Sequence, residues 1–117
     1  MNQVGIVGSR DFTDYTKFCE VINKWIEANG PINKIISGGC RGADKLAERY
    51  AKDKNIPITI FPAKWEKYGK SAGFVRNKKI VNNSTHIIAF PSRNGKGTQN
   101  TIELAHALLS VHIEYIN

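Results

Sequence analysis

Apolar residues along this chain fall into short runs that end at glycine or proline, and between the runs they recur at helical spacing. Residues 4–7 (Val-Gly-Ile-Val) form an almost unbroken apolar run, which suits a strand buried on both faces. Tyr15, Phe18, Ile22, Trp25 and Ile26 then repeat every three or four positions and predict a helix whose aromatic face is core. Asp11 or Thr13 can cap its start, and Asn29-Gly30-Pro31 carries the usual stop residues. A second apolar run, Lys34-Ile35-Ile36-Ser37, stops at Gly38-Gly39, and a helix with Ala43, Leu46, Ala47, Tyr50 and Ala51 on one face follows at once. Residues 58–61 read as a third strand between Pro57 and Pro62, and residues 74–81 as a helix with Phe74 in the core after a long connection. His86–Phe90 is a fourth strand, and Ile102, Ala105, Leu108 and Leu109 mark the last helix. Val111, Ile113 and Tyr115 alternate with His112 and Glu114, as on a half-exposed edge strand.

Strands alternating with helices predict a single α/β domain of three layers: a parallel sheet of about five strands, joined by right-handed crossovers, with helices on both faces. In that architecture every strand-to-helix loop opens on one edge of the sheet. The loops at Gly8-Ser9-Arg10-Asp11, at Gly38-Gly39 and at residues 91–98 therefore converge although they lie far apart in sequence. Ligands in such folds sit on this edge, where the strand order reverses.

Composition narrows the setting. The chain has 117 residues, 41% apolar and 23% charged, enough for one globular domain that buries about two-thirds of its unfolded surface. No apolar run approaches the roughly 20 residues needed to cross a bilayer, so no membrane partner is expected. The first residues carry no basic leader, and two cysteines are too few for a disulfide scaffold or a zinc site. Both points lead to an expectation of the cytoplasm. The net charge of +7 is unevenly placed: eight basic residues face only Glu66 between positions 64 and 96. A solvated face accounts for such a cluster, and so does a polyanionic partner.

The candidate chemistry lies on the loops. Adjacent glycines turn the chain sharply, and a helix starting at Ala43 adds unpaired first-turn amides and the positive end of its dipole. That is an anion cradle, usually for phosphate, although the same pattern serves a plain turn. Amides at Gly8, Gly38, Gly39 and Gly97, hydroxyls of Ser9, Ser37 and Thr98, guanidinium groups of Arg10, Arg41 and Arg76, and Asn77 are the candidate ligand-binding groups. Arg93 and Lys96 lie on the third loop. Asp44, in the first helical turn, is a candidate for pairing with Arg41 or Arg76 ahead of catalysis. Glu103 follows Asn100 by the spacing of a capping box and is a second candidate carboxylate. Cys40 at a helix start is a candidate thiolate without a nearby histidine. His86, His106 and His112 form no metal-ligand spacing, so no metal is expected. The full Gly-x-x-x-x-Gly-Lys-Ser/Thr phosphate-loop pattern is lacking, as is a Gly-x-Gly-x-x-Gly run, which argues against a nucleoside triphosphatase or a standard nicotinamide dehydrogenase, and no cofactor is expected.

Four motifs in order, Gly8-Ser9-Arg10-Asp11-Phe12, Ser37-Gly38-Gly39-Cys40-Arg41-Gly42-Ala43-Asp44, Ala72-Gly73-Phe74-Val75-Arg76-Asn77 and Gly97-Thr98, resemble the SLOG superfamily, in particular its small single-domain branch related to YspA and YpsA. The resemblance implies a Rossmann-like fold with central strand order 3-2-1-4-5, a pocket for nucleotides or ADP-ribose-like ligands, and a homo-oligomer. Relatives include cytokinin-activating phosphoribohydrolases, antiphage sensor domains and the DNA-binding core of DprA. The hydrolases carry Pro-Gly-Gly-x-Gly-Thr-x-x-Glu, whereas this chain places Thr101 where that glutamate stands. Glu103 comes two positions later, about 200° further round a helix.

Three functions follow as expectations. The first is a sensor or sequestering module for a nucleotide or nucleotide-derived ligand, ADP-ribose-like or a cyclic nucleotide. The second is an N-glycoside hydrolase using Asp44 or Glu103. The third is single-strand nucleic-acid binding through the basic span, where Trp65, Tyr68 and Phe74 are interleaved with lysines.

Overall fold

The computed structural model of the chain describes residues 1–93 and 98–117. Five strands, β1 (Gln3–Gly8), β2 (Lys34–Ser37), β3 (Ile58–Ile60), β4 (His86–Phe90) and β5 (Ser110–Ile113), pair in parallel in the order β3-β2-β1-β4-β5. Helices α1 (Tyr15–Asn29), α2 (Ala43–Lys54), α4 (Ala72–Asn82) and α5 (Gln99–His106) follow β1, β2, β3 and β4 in turn. Between β3 and α4 the long connection holds a four-residue helix α3 (Trp65–Tyr68) and a 3₁₀ turn, Gly69–Ser71, neither of which the spacing predicted.

The strand pleat sorts the core into two halves. Val4, Ile6, Ile35, Ile88 and Phe90 pack against Phe18, Ile22 and Trp25 of α1 and Ala47 and Tyr50 of α2. Val7, Ile36, Ile87 and Ala89 point the other way and meet Ile80 and Val81 of α4 and Ile102 and Ala105 of α5. Both faces of the sheet are therefore covered, and β5 is left half exposed at one edge.

The structure differs from the sequence reading at two helix starts and at two apolar residues. The α1 cap is Asp14, whose carboxylate accepts from the Lys17 amide at 3.1 Å, and not Asp11 or Thr13. Phe12 explains the delay: its ring is buried against Phe90 at 5.1 Å, so the chain must turn inward before a helix can start. Thr98 precedes α5 without a side-chain cap bond, and Asn100 instead accepts from Asn77 Nδ2 at 3.0 Å, so the capping box with Glu103 does not form. Phe74 and Leu108, read as core and helix, are 57% and 69% exposed, and Leu108 lies beyond the end of α5.

Candidate functional site

β1 has β2 on one side and β4 on the other, so the chain leaves it in opposite directions and a crevice opens above the β1/β4 pair. A cavity of about 450 Å³ sits there. Val7, Gly8, Ser9, Arg10 and Asp11 from the end of β1, Cys40, Arg41 and Asp44 from the β2–α2 turn, and Ser92 after β4 line it. Arg76, Asn77 and Ile80 of α4, with Thr98 and Thr101 before and within α5, close the opposite side.

Backbone bonds fasten the converging segments to one another. The Ser9 amide donates to Phe90 O at 2.9 Å, and Ser9 O accepts from the Ala43 amide, the first of α2, at 3.1 Å. Loop one is thus tied to the end of β4 and to the start of α2. Arg76 adds a side-chain tie. Its Nη1 donates to Gly38 O at 3.2 Å and to Cys40 Sγ at 3.4 Å, and its Nε donates to Asn77 Oδ1 at 3.0 Å. Asn77 passes the chain of bonds to Asn100 on α5. Gly38 is small for a spatial reason: a Cβ there would lie 2.5 Å from Arg76 Nη1 and 3.1 Å from Asp44 Oδ2.

The glycine turn is less bare than its sequence implies. Gly39, at φ 74°, reverses the chain as expected. Yet the Cys40 amide donates to Asp44 Oδ2 at 3.0 Å, and the Gly39 amide leans toward Ser37 Oγ at 3.5 Å. The carboxylate of Asp44 already fills part of the cradle, as an internal anion would. It faces the Arg76 guanidinium without closing to a direct ion pair, and among the described residues none forms between Asp44 and Arg41 either. The free positive charge lies further out. Arg10 and Arg41 are exposed at the cavity rim, and among the described residues no carboxylate lies within 4 Å of either guanidinium.

Burial raises the Asp44 pKa above the ordinary carboxylate value, against the opposing pull of the Cys40 amide and the Arg76 charge. The folded state therefore holds that proton more tightly than the unfolded chain does. This contribution favours folding below the unfolded carboxylate pKa and is lost as pH rises through the raised folded value. Asp44→Asn, which keeps an acceptor for Cys40 but removes the buried charge, should melt at or above wild type at pH 7 and show a flatter Tm between pH 4 and 8. Thermal unfolding across that range checks this; a clear loss of Tm at pH 7 would mean that the Arg76 and Cys40 contacts outweigh burial.

Of the residues expected from sequence, Gly8, Ser9, Arg10, Arg41, Asp44, Arg76, Asn77 and Thr98 line the cavity together. Ser37, Gly38 and Gly39 do not line it, and instead shape the turn that carries Cys40 and Arg41. Gly97 and Lys96 fall outside the described residues. Glu103 is exposed, outside the cavity lining, and accepts from Gln99 Nε2 at 3.2 Å. Arg93 is engaged with the C-terminus, its Nε donating to Asn117 O at 2.8 Å and its guanidinium lying 4.2 Å from the Tyr115 ring centre. The sequence reading gave no ligand role to Ile80, Ser92 and Thr101, which also line the cavity. For Thr101 one signal existed: it stands at the glutamate position of the hydrolase motif, and it is the residue of that pair which faces inward.

Comparison with known proteins bears on the same segments. The family model described as "YAcAr: YspA, cpYpsA-related SLOG family" matches residues 3–68, which span β1 through α3 and contain the first two cavity loops. The Gene 61 protein of Mycobacterium phage D29 is 31% identical over 111 residues, covering 90% of this chain and 89% of that relative. No solved structure matches the chain. With a five-stranded parallel sheet in the order 3-2-1-4-5 and a family match over more than half its length, this chain belongs to the YspA, cpYpsA-related SLOG family.

Proposed function

We propose that the chain binds a nucleotide or nucleotide-derived ligand, of the nucleoside-monophosphate or ADP-ribose class, in the crevice above β1 and β4, and that it acts as a sensor or sequestering protein. Family membership supports a nucleotide-related ligand. The observation that carries the reading is chemical. One cavity collects three guanidinium groups, of Arg10, Arg41 and Arg76, with the Ser9, Thr98 and Thr101 hydroxyls and the Asn77 amide. Guanidinium forks bind phosphate oxygens in pairs, and hydroxyls and amides suit ribose and base edges. The volume of about 450 Å³ lies within the usual range for small-molecule sites.

Simple binding is favoured over hydrolysis by what faces the ligand space. Thr101 lines the cavity and Glu103 does not, so Asp44 and Asp11 are the carboxylates available among the described residues. Asp44 is buried, and its Oδ2 is already engaged by the Cys40 amide, which ties this carboxylate to the turn. Calorimetry against AMP, ADP-ribose and a cyclic dinucleotide, with chromatography of the same mixtures for released base, tests the reading. Saturable 1:1 heat with at least one of them and no free base is the expected result. Absence of heat with all three would contradict binding, and base release lost in Asp44→Asn would replace the sensor with a hydrolase.

A further inference from the structure

Away from the cavity, α3, the 3₁₀ turn and the outer face of α4 form a second distinctive surface. Trp65 is 55% and Phe74 57% exposed, and among the described residues neither ring pairs with another aromatic. Trp65 packs on the start of the helix that carries Phe74: its Cη2 lies 3.9 Å from where a Cβ of Gly73 would stand. Neither ring lines the ligand cavity. Lys64, Lys67, Lys70 and Lys79 belong to the same stretch, whose sole acid is Glu66. Three of these cations, Lys64, Lys67 and Lys79, gather in space as well as in sequence. Lys67 Nζ lies 5.2 Å from the Tyr68 ring centre, and Lys67, Lys79 and Lys64 together act on the Tyr68 phenol, lowering its pKa, with a hydrogen bond from Lys67 as the largest cause.

Two free aromatic faces among clustered ammonium groups have a narrow set of complements. A protein partner fits poorly, because lysine is depleted at the centres of protein interfaces. A membrane surface fits poorly too, since lysines interrupt the rings and α3 is only four residues long, leaving no continuous apolar face. A strand of unpaired nucleotides supplies both matching parts: bases that stack on rings and phosphates that pair with lysines. We propose that this face binds single-stranded nucleic acid, with Trp65 and Phe74 as stacking platforms and Lys64, Lys67, Lys70 and Lys79 along the phosphate backbone. The surface is separate from the nucleotide cavity and does not depend on that assignment.

Fluorescence anisotropy of a labelled oligo-dT of twelve nucleotides, titrated with the full chain at several salt concentrations, tests the proposal. Saturable binding that weakens steeply with salt is expected. Trp65→Ala and Phe74→Ala should each weaken it by about 5- to 150-fold, the usual worth of one stacked base. Lys64→Gln with Lys67→Gln should reduce the log–log salt slope by about 1.4. All four positions are exposed, so circular dichroism should match wild type and a folding defect is excluded directly. Arg41→Ala should leave the titration unchanged, which separates this face from the cavity. No binding at low salt, wild-type binding by the Trp65→Ala/Phe74→Ala double variant, equal affinity for duplex, loss of binding in Arg41→Ala alone, or tighter binding to anionic phospholipid vesicles would each overturn it.

Discussion

Gly42→Ala is expected to destabilise the fold by more than about 3 kcal/mol, a large share of the roughly 5–15 kcal/mol that holds a domain of this size together. Gly42 caps α2 with φ 77° and ψ −129°, a backbone state that side-chain-bearing residues scarcely populate. Space is a second obstacle. A Cβ there would overlap Ser9 O and, at 2.5 Å, the Arg10 carbonyl carbon, all of it backbone that cannot rotate aside. Making room would pull the Ala43 amide from Ser9 O and separate the first loop from the start of α2. Gly69→Ala provides the internal control. Gly69 shares that backbone state, with φ 56° and ψ −133°, but nothing lies within 4 Å of its Cβ position, so strain alone, about 1–3 kcal/mol, is expected. Thermal melts should show a loss of about 10 °C or more for Gly42→Ala and a distinctly smaller one for Gly69→Ala. Equal shifts in the two variants would refute the backbone clash.

The second large effect falls on Arg76. In Arg76→Ala, Gly38 O and Cys40 Sγ lose their donor, Asn77 loses its Nε partner, and Asp44 loses the facing positive charge. Hydrogen bonds to charged groups contribute about 1.5–3 kcal/mol each, so the affinity for a phosphate-bearing ligand should fall about 10- to 100-fold even where the fold survives. Arg76→Lys restores the charge but not the fork and should recover only part of it. Calorimetry on the two variants, at a temperature where circular dichroism shows both folded, reads the result. Wild-type affinity in Arg76→Ala would remove Arg76 from the ligand's contacts.

The order of strands and helices was legible in the chain because β1 to β4 are short apolar runs closed by glycine or proline, and β5 alternates as an edge strand does. Convergence of the loops then followed from parallel topology alone. What the pattern misplaced lies close to the cavity. Along α4 the inward positions include Asn77, which is buried because it faces the crevice and bonds Asn100, while Phe74 turns outward. Hydropathy places the apolar residue inside and the polar one outside, and a polar cavity beneath a helix inverts that rule. The same inversion hid Thr101, buried on the cavity side of α5, and gave undue weight to Glu103 on its exposed side. The capping of α1 was ambiguous because Asp11, Thr13 and Asp14 are all suitable types, and the buried Phe12 ring, a tertiary contact, decides among them. That Asp44 would bond the Cys40 amide, leaving the outer arginines as the free cations, depends on a side chain folding back on its own turn, which spacing does not reveal.

The most direct test of a nucleotide site above β1 and β4 is a backbone amide titration by two-dimensional NMR, with AMP and ADP-ribose added to the labelled protein. Shifts should concentrate at Ser9, Arg10, Cys40, Arg41, Asn77 and Thr101, from four separate segments, and leave β3 and the outer turns of α1 unmoved. Shifts confined to one segment, or centred on a face away from these residues, would contradict a shared phosphate-binding crevice.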